Sequence, residues 1–181
     1  MKNKLLKTFI LIVLLLCVTI ITVKKVYPNN YSSEITYYSK QYGVDPILVK
    51  AVIKAESNFK PGVKSSKNAY GLMQITPETA QWAGELMKIE SFPDEKLYEP
   101  DFNIKMGCWY LNNLSKQFNG DVDLILAAYN GGPGNVQKWL NDEQHSKDGK
   151  SLHYIPFPET DKYVKKVKVN YNIYKFLYYR K

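Results

Sequence analysis

Residues 45–58 read DPILVKAVIKAESN and give the sharpest structural signal in this sequence. Asp45 followed by Pro46 is typical of a helix start, because aspartate caps free N–H groups and proline suits the first helical position. At about 100° per residue, the apolar side chains cover a broad arc, and Lys50 and Lys54 lie on the remaining edge. The stretch therefore predicts an amphipathic helix that buries most of its surface.

The last turn of this helix carries an acidic residue on the apolar side. Glu56 falls inside the apolar arc and at the carboxyl end of the helix, where the helix dipole disfavours a negative charge. Burial and the dipole both raise the pKa of a carboxyl group, which suits a proton donor that works near neutral pH. On this pattern alone, the alternative is a frayed last turn that lets Glu56 reach water or a lysine.

Helix-start and helix-stop signals recur along the rest of the chain, whereas no useful length of sequence alternates with a period of two. They predict helices that begin near Ser32, Asp45, Thr76, Asn103, Asp121, Val136 and Glu159. Gly43 and the pair Gly131-Gly132 are expected to stop two of them. The helix after Thr76 has Ala80, Trp82 and Leu86 as apolar positions. The sequence predicts a mainly α domain of six or seven helices.

The positive charge of the chain is concentrated at its two ends. The formal net charge is +8, yet residues 1–25 and Lys162–Lys181 carry lysine and arginine without any acid, and the middle is net negative. A duplex-binding domain would spread its positive charge across a folded face, so this distribution disfavours a nucleic-acid partner. Only two cysteines and two histidines are present, and their spacing resembles no zinc site. We expect no metal site and no cofactor.

Residues 8–23 form an uninterrupted apolar segment without charge, glycine or proline. As a helix it spans about 24 Å, slightly less than the ~30 Å hydrocarbon layer of a bilayer. Three lysines precede it and two follow, and lysine side chains can reach the interface from such positions. The excess of positive charge before the segment favours an amino end in the cytoplasm.

A cleaved signal peptide is the alternative for this segment. No small-residue cleavage site follows it, and Leu16 argues against lipoprotein processing at Cys17. We therefore expect a cytoplasmic basic end (1–7), an uncleaved membrane anchor (8–23), a linker (24–31) and an extracytoplasmic domain (32–181). The domain would be secreted if the segment were removed.

Five short motifs occur in order across the predicted domain. They are Glu56-Ser57-Asn58-Phe59, Ser65, Gly71-Leu72-Met73-Gln74-Ile75, Ala128-Tyr129-Asn130-Gly131-Gly132, and Ile155-Pro156-Phe157-Pro158-Glu159-Thr160 with Tyr163-Val164. This series resembles the soluble-lytic-transglycosylase-like family of goose-lysozyme-like glycosidases, which cut bacterial peptidoglycan. The resemblance covers about residues 32–175 and implies a single lysozyme-like domain. Many members have glycine where this chain has Asn68, and asparagine also tolerates left-handed backbone.

The resemblance implies a role for seven residues. Glu56 matches the single catalytic acid of the family. The expected substrate-binding residues are Ser65, Gln74, Tyr129, Asn130, Glu159 and Tyr163. For five of them an ordinary role stays open: a turn serine for Ser65, a loop-holding amide for Gln74, a helix end for Tyr129 and Asn130, and a first-turn acid for Glu159.

The reaction that the resemblance implies needs one carboxyl group rather than two. Glu56 would protonate the glycosidic oxygen between N-acetylmuramic acid and N-acetylglucosamine, and then accept the proton of the muramoyl C6 hydroxyl as that oxygen attacks C1. The product is a 1,6-anhydromuramoyl end, formed without water. The intramolecular nucleophile benefits from a high effective molarity, which compensates for the missing second carboxylate.

Two other functions remain open at this stage. The first is a water-using muramidase of the same fold, with Asp101, Asp121 or Glu159 as the second carboxylate. The second is a membrane-tethered wall-binding module without catalysis.

The expected partners are peptidoglycan glycan strands and the cytoplasmic membrane. The basic, tyrosine-rich end Lys162–Lys181 is expected either to bind anionic wall polymers or to be a solvated helix face.

Overall fold

The computed structural model describes residues 2–179, apart from the side chains of Lys2, Asn3 and Leu5. Met1, at the predicted basic amino end, and Arg180 and Lys181, at the basic carboxyl end, lie outside the described residues. The chain forms two compact units, one ending at Asn30 and one beginning at Tyr31.

The first unit is a single helix, α1 (Lys2–Val26). Within it, Leu6–Val26 is long and apolar enough to cross a membrane, and a signal sequence would meet the same criteria. These 21 residues span about 32 Å, which matches the hydrocarbon layer better than the shorter segment 8–23 predicted from sequence. The helix is longer because it begins within the predicted basic end and runs through Lys24, Lys25 and Val26, three residues of the predicted linker.

The second unit is built from helices. In chain order they are α2 (Ser32–Tyr42), α3 (Pro46–Glu56), α4 (Pro77–Met87), a short 3₁₀ helix (Asp94–Tyr98), α5 (Pro100–Gln117), α6 (Val122–Gly131), α7 (Pro133–Leu140) and α8 (Pro158–Tyr178). Within residues 31–179, extended pairing is limited to isolated bridges of Tyr70 with Lys64 and Ile75. The mainly α prediction is confirmed.

Side-chain caps fix several of the predicted helix starts. Asp45 accepts a hydrogen bond from the N–H of Ile47, Thr76 from that of Thr79, and Asp121 from that of Leu124. Each side chain satisfies a donor that the first helical turn leaves free. These starts could be predicted because capping depends only on neighbouring residues.

Two predicted helix starts are wrong by three residues. Helix α5 begins at Pro100 rather than near Asn103, and α7 begins at Pro133 rather than at Val136. In both cases a proline occupies the first helical turn, where its missing N–H is not needed. Asn103 is fully buried inside α5 and has a different function, described below.

Helix α3 is the centre of the core. It packs chiefly against α8 and also against α2, while α6 packs against α8, α7 and α5, and α4 against α5. Val49, Ala51, Val52 and Ile53 are inaccessible to solvent. Burial of this apolar surface is the main stabilising contribution to the fold. The packing places the carboxyl end of α3, with Glu56, beside α8.

Lys50 lies outside the apolar arc of α3 but is nevertheless buried. It is only 2% exposed, because the end of α8 and the residue after it cover this side of α3. Its Nζ donates to the Ser32 hydroxyl over 3.2 Å and lies 5.8 Å and 5.3 Å from the ring centres of Tyr178 and Tyr179. Burial lowers the pKa of Lys50, and the hydroxyl and aromatic rings partly replace the lost water.

Candidate active site

Glu56 is the last residue of α3, and its environment favours the protonated form. Removal from solvent is the largest effect and raises the pKa of its carboxyl group to about 7. The Tyr163 hydroxyl and the Lys166 ammonium lower this pKa, whereas the negative charge of Glu159 raises it. A carboxyl group with this pKa is partly protonated at neutral pH and can act as a general acid.

Two tyrosines accompany the Glu56 carboxyl group. Tyr163 on α8 is 8% exposed, and its hydroxyl is buried without a well-aligned hydrogen-bond partner. The hydroxyl nevertheless lies close enough to Glu56 to lower the pKa of that carboxyl group. The Tyr129 hydroxyl, from α6, donates to the carbonyl oxygen of Met73 over 2.8 Å. Burial and the charge of Glu56 raise the pKa of both tyrosines well above the usual range. Both therefore remain neutral hydroxyl donors at physiological pH.

The loop after α3 is tied to the helix end that carries Glu56. The Ser57 hydroxyl, directly after Glu56, donates to the carbonyl oxygen of Leu72 over 2.8 Å. Gly71 has φ of +74°, and a Cβ atom there would lie 2.3 Å from the carbonyl oxygen of Leu97. A glycine at this position therefore allows a close backbone approach that any side chain would block. Asn68 has φ of +58°, the left-handed conformation expected of it.

Gln74 uses its amide to hold this loop together. Its Nε2 donates to the carbonyl oxygens of Val63 at 3.1 Å and Gly71 at 2.9 Å, and the residue itself has φ of +48°. The loop-holding alternative therefore has direct structural support. Sugar recognition through Gln74 stays a prediction, and with both N–H groups engaged it would use the amide oxygen.

Ser65 and Asn130 also make local contacts. The Ser65 hydroxyl accepts a hydrogen bond from the N–H of Ala69 at 3.1 Å, as a turn serine does. The Asn130 side-chain oxygen accepts from the Thr160 hydroxyl at 2.9 Å, which connects the end of α6 to the start of α8. Their predicted contacts with substrate stay predictions.

Glu159 forms an ion pair that the sequence did not suggest. Lys67 Nζ lies 2.9 Å from one carboxylate oxygen and 3.1 Å from the other, and both side chains are largely exposed. The pair and Asn130 line a surface depression of about 360 Å³. Lys67 and Glu159 are 92 residues apart, so no local pattern could indicate the contact.

Asn103 is the other residue whose function sequence reasoning missed. Its side-chain oxygen accepts from the N–H of Met73 at 2.7 Å, and its Nδ2 donates to the carbonyl oxygens of Tyr70 and Leu97 at 2.9 and 2.8 Å. A buried polar side chain of this kind stabilises a structure only when it is fully hydrogen-bonded. Asn103 thus fixes the loop that contains Gln74 to helix α5.

The three carboxylates considered as a second catalytic group all have other partners. Asp101 accepts from the Tyr38 hydroxyl at 2.8 Å, Asp121 caps α6, and Glu159 pairs with Lys67. Of these three, Glu159 contributes to the pKa of Glu56. Among the side chains that the structure describes, no cluster of three or more histidine, cysteine, aspartate or glutamate residues could hold a metal ion.

Comparison with known proteins identifies the family. The transglycosylase SLT domain matches residues 33–152. This chain belongs to that family. It is 37% identical over 146 residues to the soluble lytic murein transglycosylase of Salmonella typhimurium and 34% identical over 143 residues to that of Escherichia coli. Both matches cover 78% of this chain and 22% of the relative, so the chain spans about a fifth of the length of these relatives.

Solved structures agree with this family assignment. An inactive mutant of lytic transglycosylase Slt from Pseudomonas aeruginosa has a TM-score of 0.76 and 32% identity, covering 85% of this chain and 25% of that chain. The 70-kDa soluble lytic transglycosylase in complex with bulgecin A has a TM-score of 0.78 and 29% identity, and the match covers 88% of this chain and 26% of that chain. The resemblance that the ordered motifs indicated is therefore confirmed.

Proposed function

We propose that this SLT-domain chain is a lytic transglycosylase that cleaves the bond between N-acetylmuramic acid and N-acetylglucosamine in peptidoglycan, with Glu56 as its catalytic acid. The observation that carries the proposal is the Glu56 carboxyl group, whose burial at the end of α3 raises its pKa to about 7. Its relatives are named as soluble lytic murein transglycosylases, which supports the same activity.

The proposed reaction uses Glu56 twice. Its proton passes to the glycosidic oxygen as the bond from that oxygen to C1 breaks, and positive charge develops at C1. The carboxylate then takes the proton of the muramoyl C6 hydroxyl while O6 bonds to C1. The carboxyl group is regenerated, a 1,6-anhydromuramoyl end is released, and no water is consumed.

Several neighbouring groups are proposed to hold the sugar in this reaction. Tyr163 and Tyr129 bring neutral hydroxyls near the carboxyl group, and Asn130 and Glu159 line the adjacent depression. Gln74 and Ser65 belong to the loop between α3 and α4, and we propose that they contact the strand while keeping their loop contacts. Correct placement of the C6 hydroxyl over C1 would provide most of the rate advantage.

A water-using muramidase is the second candidate, and one observation favours it. Glu159 is close enough to raise the pKa of Glu56, and in a muramidase it would be the carboxylate that activates a water molecule. Its carboxylate, however, is held on both oxygens by Lys67. Mass spectrometry of the digested glycan separates the two reactions, because an anhydro end is lighter by one water than a hydrolysed reducing end.

The experiment compares the wild-type chain with Glu56→Gln on purified peptidoglycan. Gln is isosteric and cannot donate the proton, so we expect anhydro products from the wild type and a loss of about 10²-fold or more in the variant. Glu143→Gln, at an exposed position in the loop after α7, is the matched control and should retain full activity. Near-normal turnover by Glu56→Gln would contradict the assignment. Binding without turnover by the wild type would indicate a wall-binding module.

We also propose that α1 holds the enzyme in the cytoplasmic membrane with the SLT domain outside. The length and apolar composition of Leu6–Val26 support this topology. Cell fractionation and amino-terminal sequencing test it, and the expected mature protein is membrane-bound and begins before α1. A soluble mature form that begins near residue 24 would contradict the anchor and indicate a secreted enzyme.

We also propose that the basic carboxyl end binds anionic wall polymers. Lys165 pairs with Asp161, Lys168 pairs with Asp123, and Lys166 donates to a backbone carbonyl. The charges best placed for a polymer are therefore the exposed Lys162 and Lys175. Replacing both with Gln should weaken binding to polymer-bearing walls at low salt and change nothing at high salt. Unchanged binding at low salt would make this end structural only.

A further inference from the structure

Four aromatic side chains form a row of contacting rings from the surface to Tyr129. Trp82 on α4 lies edge-on to Trp109 on α5, with ring centres 5.0 Å apart. The ring centre of Trp82 is also 6.4 Å from that of Tyr110. Tyr110 lies 5.3 Å from Tyr129, whose pKa is raised in part by the charge of Glu56. We call Trp82, Trp109, Tyr110 and Tyr129 the aromatic row.

The outer end of the aromatic row is open to solvent. Trp82 is 41% exposed, and Leu86, one turn later on α4, is 59% exposed, although both were apolar positions of a predicted helix. Ala80 on the same helix is fully buried, so α4 has an apolar core contact besides the tryptophan. Large apolar side chains normally contribute to stability by burial, and an exposed apolar patch such as the one formed by Trp82 and Leu86 is typical of a binding surface.

We propose that Trp82 and Trp109 form a sugar-binding subsite that holds the glycan strand beyond the sugars at Glu56. A pyranose ring has one predominantly C–H face, which packs on the electron-rich face of an aromatic ring, while its hydroxyls stay in water. The ring contacts run without a break from Trp82 through Tyr110 to Tyr129, which belongs to the proposed active site. This inference rests on the proposed function, because it names a further part of the same substrate's path.

The proposed occupant is the glycan strand rather than another protein. A strand bound at Glu56 must continue past its neighbouring side chains, and the aromatic row begins at one of them, Tyr129. Trp and Tyr each combine an apolar ring with a polar N–H or O–H edge, which suits a ligand with apolar faces and polar edges. A second copy of this chain on the same surface is the competing outcome.

The test measures binding of glycan fragments of two lengths. The full chain is kept in a zwitterionic detergent without a sugar headgroup, and Glu56→Gln is present in every protein so that fragments stay intact. The probes are purified peptidoglycan glycan fragments of two and of eight sugars, and tryptophan fluorescence and calorimetry report binding. Trp82→Leu removes the ring but keeps an apolar side chain, whereas Trp82→Phe keeps a ring. Tyr37→Leu, 65% exposed on α2 and outside the row, is the control.

We expect Trp82→Leu to weaken binding of the eight-sugar fragment roughly three- to tenfold, as loss of one aromatic contact does, and to leave the two-sugar fragment unchanged. Trp109→Leu should act in the same direction. Trp82→Phe and the control should bind both fragments nearly normally. With Glu56 restored, Trp82→Leu should raise KM on long strands without lowering kcat.

Three outcomes would overturn the inference in distinguishable ways. If the eight-sugar fragment binds Trp82→Leu and the parent equally, the subsite is absent while the proposed function stands. If neither fragment binds any protein, the proposed function fails together with the subsite. If Trp82→Leu instead abolishes self-association measured by sedimentation, with glycan binding unchanged, the aromatic row contacts a second copy. Thermal unfolding of each variant checks that the domain remains folded.

Discussion

The Lys166 ammonium group donates a 2.7 Å hydrogen bond to the backbone carbonyl of Ala55, the residue before Glu56. The last carbonyls of a helix have no helical donor, and a cation there also interacts favourably with the helix dipole. The same positive charge lowers the pKa of Glu56 and so opposes the effect of burial. Lys166 therefore both caps α3 and limits how far the pKa of the proposed acid rises.

Replacing Lys166 with Met should shift the pH dependence of cleavage. A general acid must be protonated, so activity falls as pH rises through the pKa of Glu56, about 7 in the wild type. Loss of the nearby positive charge raises this pKa, and the alkaline limb of kcat/KM should move to higher pH. Lys165→Met is the control. Lys165 pairs with Asp161 in the wild type, and its replacement should not move the alkaline limb of kcat/KM. An unchanged limb in Lys166→Met would contradict this electrostatic role.

The opposite shift is expected for Glu159→Gln. The negative charge of Glu159 raises the pKa of Glu56, so its removal should move the alkaline limb to lower pH. Lys67→Met breaks the same ion pair but keeps the charge of Glu159, so it should not move the alkaline limb to lower pH. If both variants shift the limb alike, the effect comes from the lost ion pair and not from the charge of Glu159.

The raised pKa of Glu56 also predicts a pH-dependent stability difference. Because the folded-state pKa, about 7, lies above the ordinary 4.5, the protonated carboxyl stabilises the fold below about pH 4.5, and this contribution is lost as pH rises through 7. Glu56→Gln has no such loss. At pH 8 it should exceed the wild type by about 3 kcal/mol in free energy of unfolding, and at pH 4 the two should be equal.

Chemical denaturation of the full chain in detergent at both pH values measures this difference. Glu143→Gln, at an exposed position, serves as the control and should follow the wild type at each pH. If the difference in free energy of unfolding between Glu56→Gln and the wild type is the same at both pH values, the pKa of Glu56 does not change on folding and the prediction is wrong.

Features fixed by neighbouring residues could be predicted from the sequence. Asp45 and Thr76 cap helices because the donors they satisfy lie two or three residues away. The position of Glu56 on the apolar side of α3 follows from helical periodicity alone. Its proposed role, however, came from the family resemblance of the ordered motifs and not from this periodicity.

Contacts between distant parts of the chain could not be predicted. The burial of Lys50 could not be predicted, because periodicity says nothing about which helix end will cover this residue. Lys67 finds Glu159 across 92 residues, and Asn103 reaches the N–H of Met73 across 30. Such contacts depend on how helices pack, and a polar residue in a helical pattern gives no sign of them.

Asn103→Ala tests the most consequential of these unpredicted contacts. The substitution removes three hydrogen bonds and leaves the N–H of Met73 and the carbonyl oxygens of Tyr70 and Leu97 without their partner in a buried site. Each unsatisfied buried group costs about 1–3 kcal/mol, so we expect the free energy of unfolding to fall by roughly 3–5 kcal/mol. Denaturant unfolding of the full chain measures this loss.

Cleavage should fall in the same variant, because Asn103 holds the loop that carries Gln74 and the carbonyl group of Met73 that Tyr129 contacts. Asn113→Ala on the same helix is the matched control, since Asn113 is partly exposed, and it should retain normal stability and turnover. Assays at low temperature, where Asn103→Ala remains folded, separate the two effects. Normal kcat in folded Asn103→Ala would mean that the loop keeps its active geometry without this asparagine and that Asn103 contributes to stability alone.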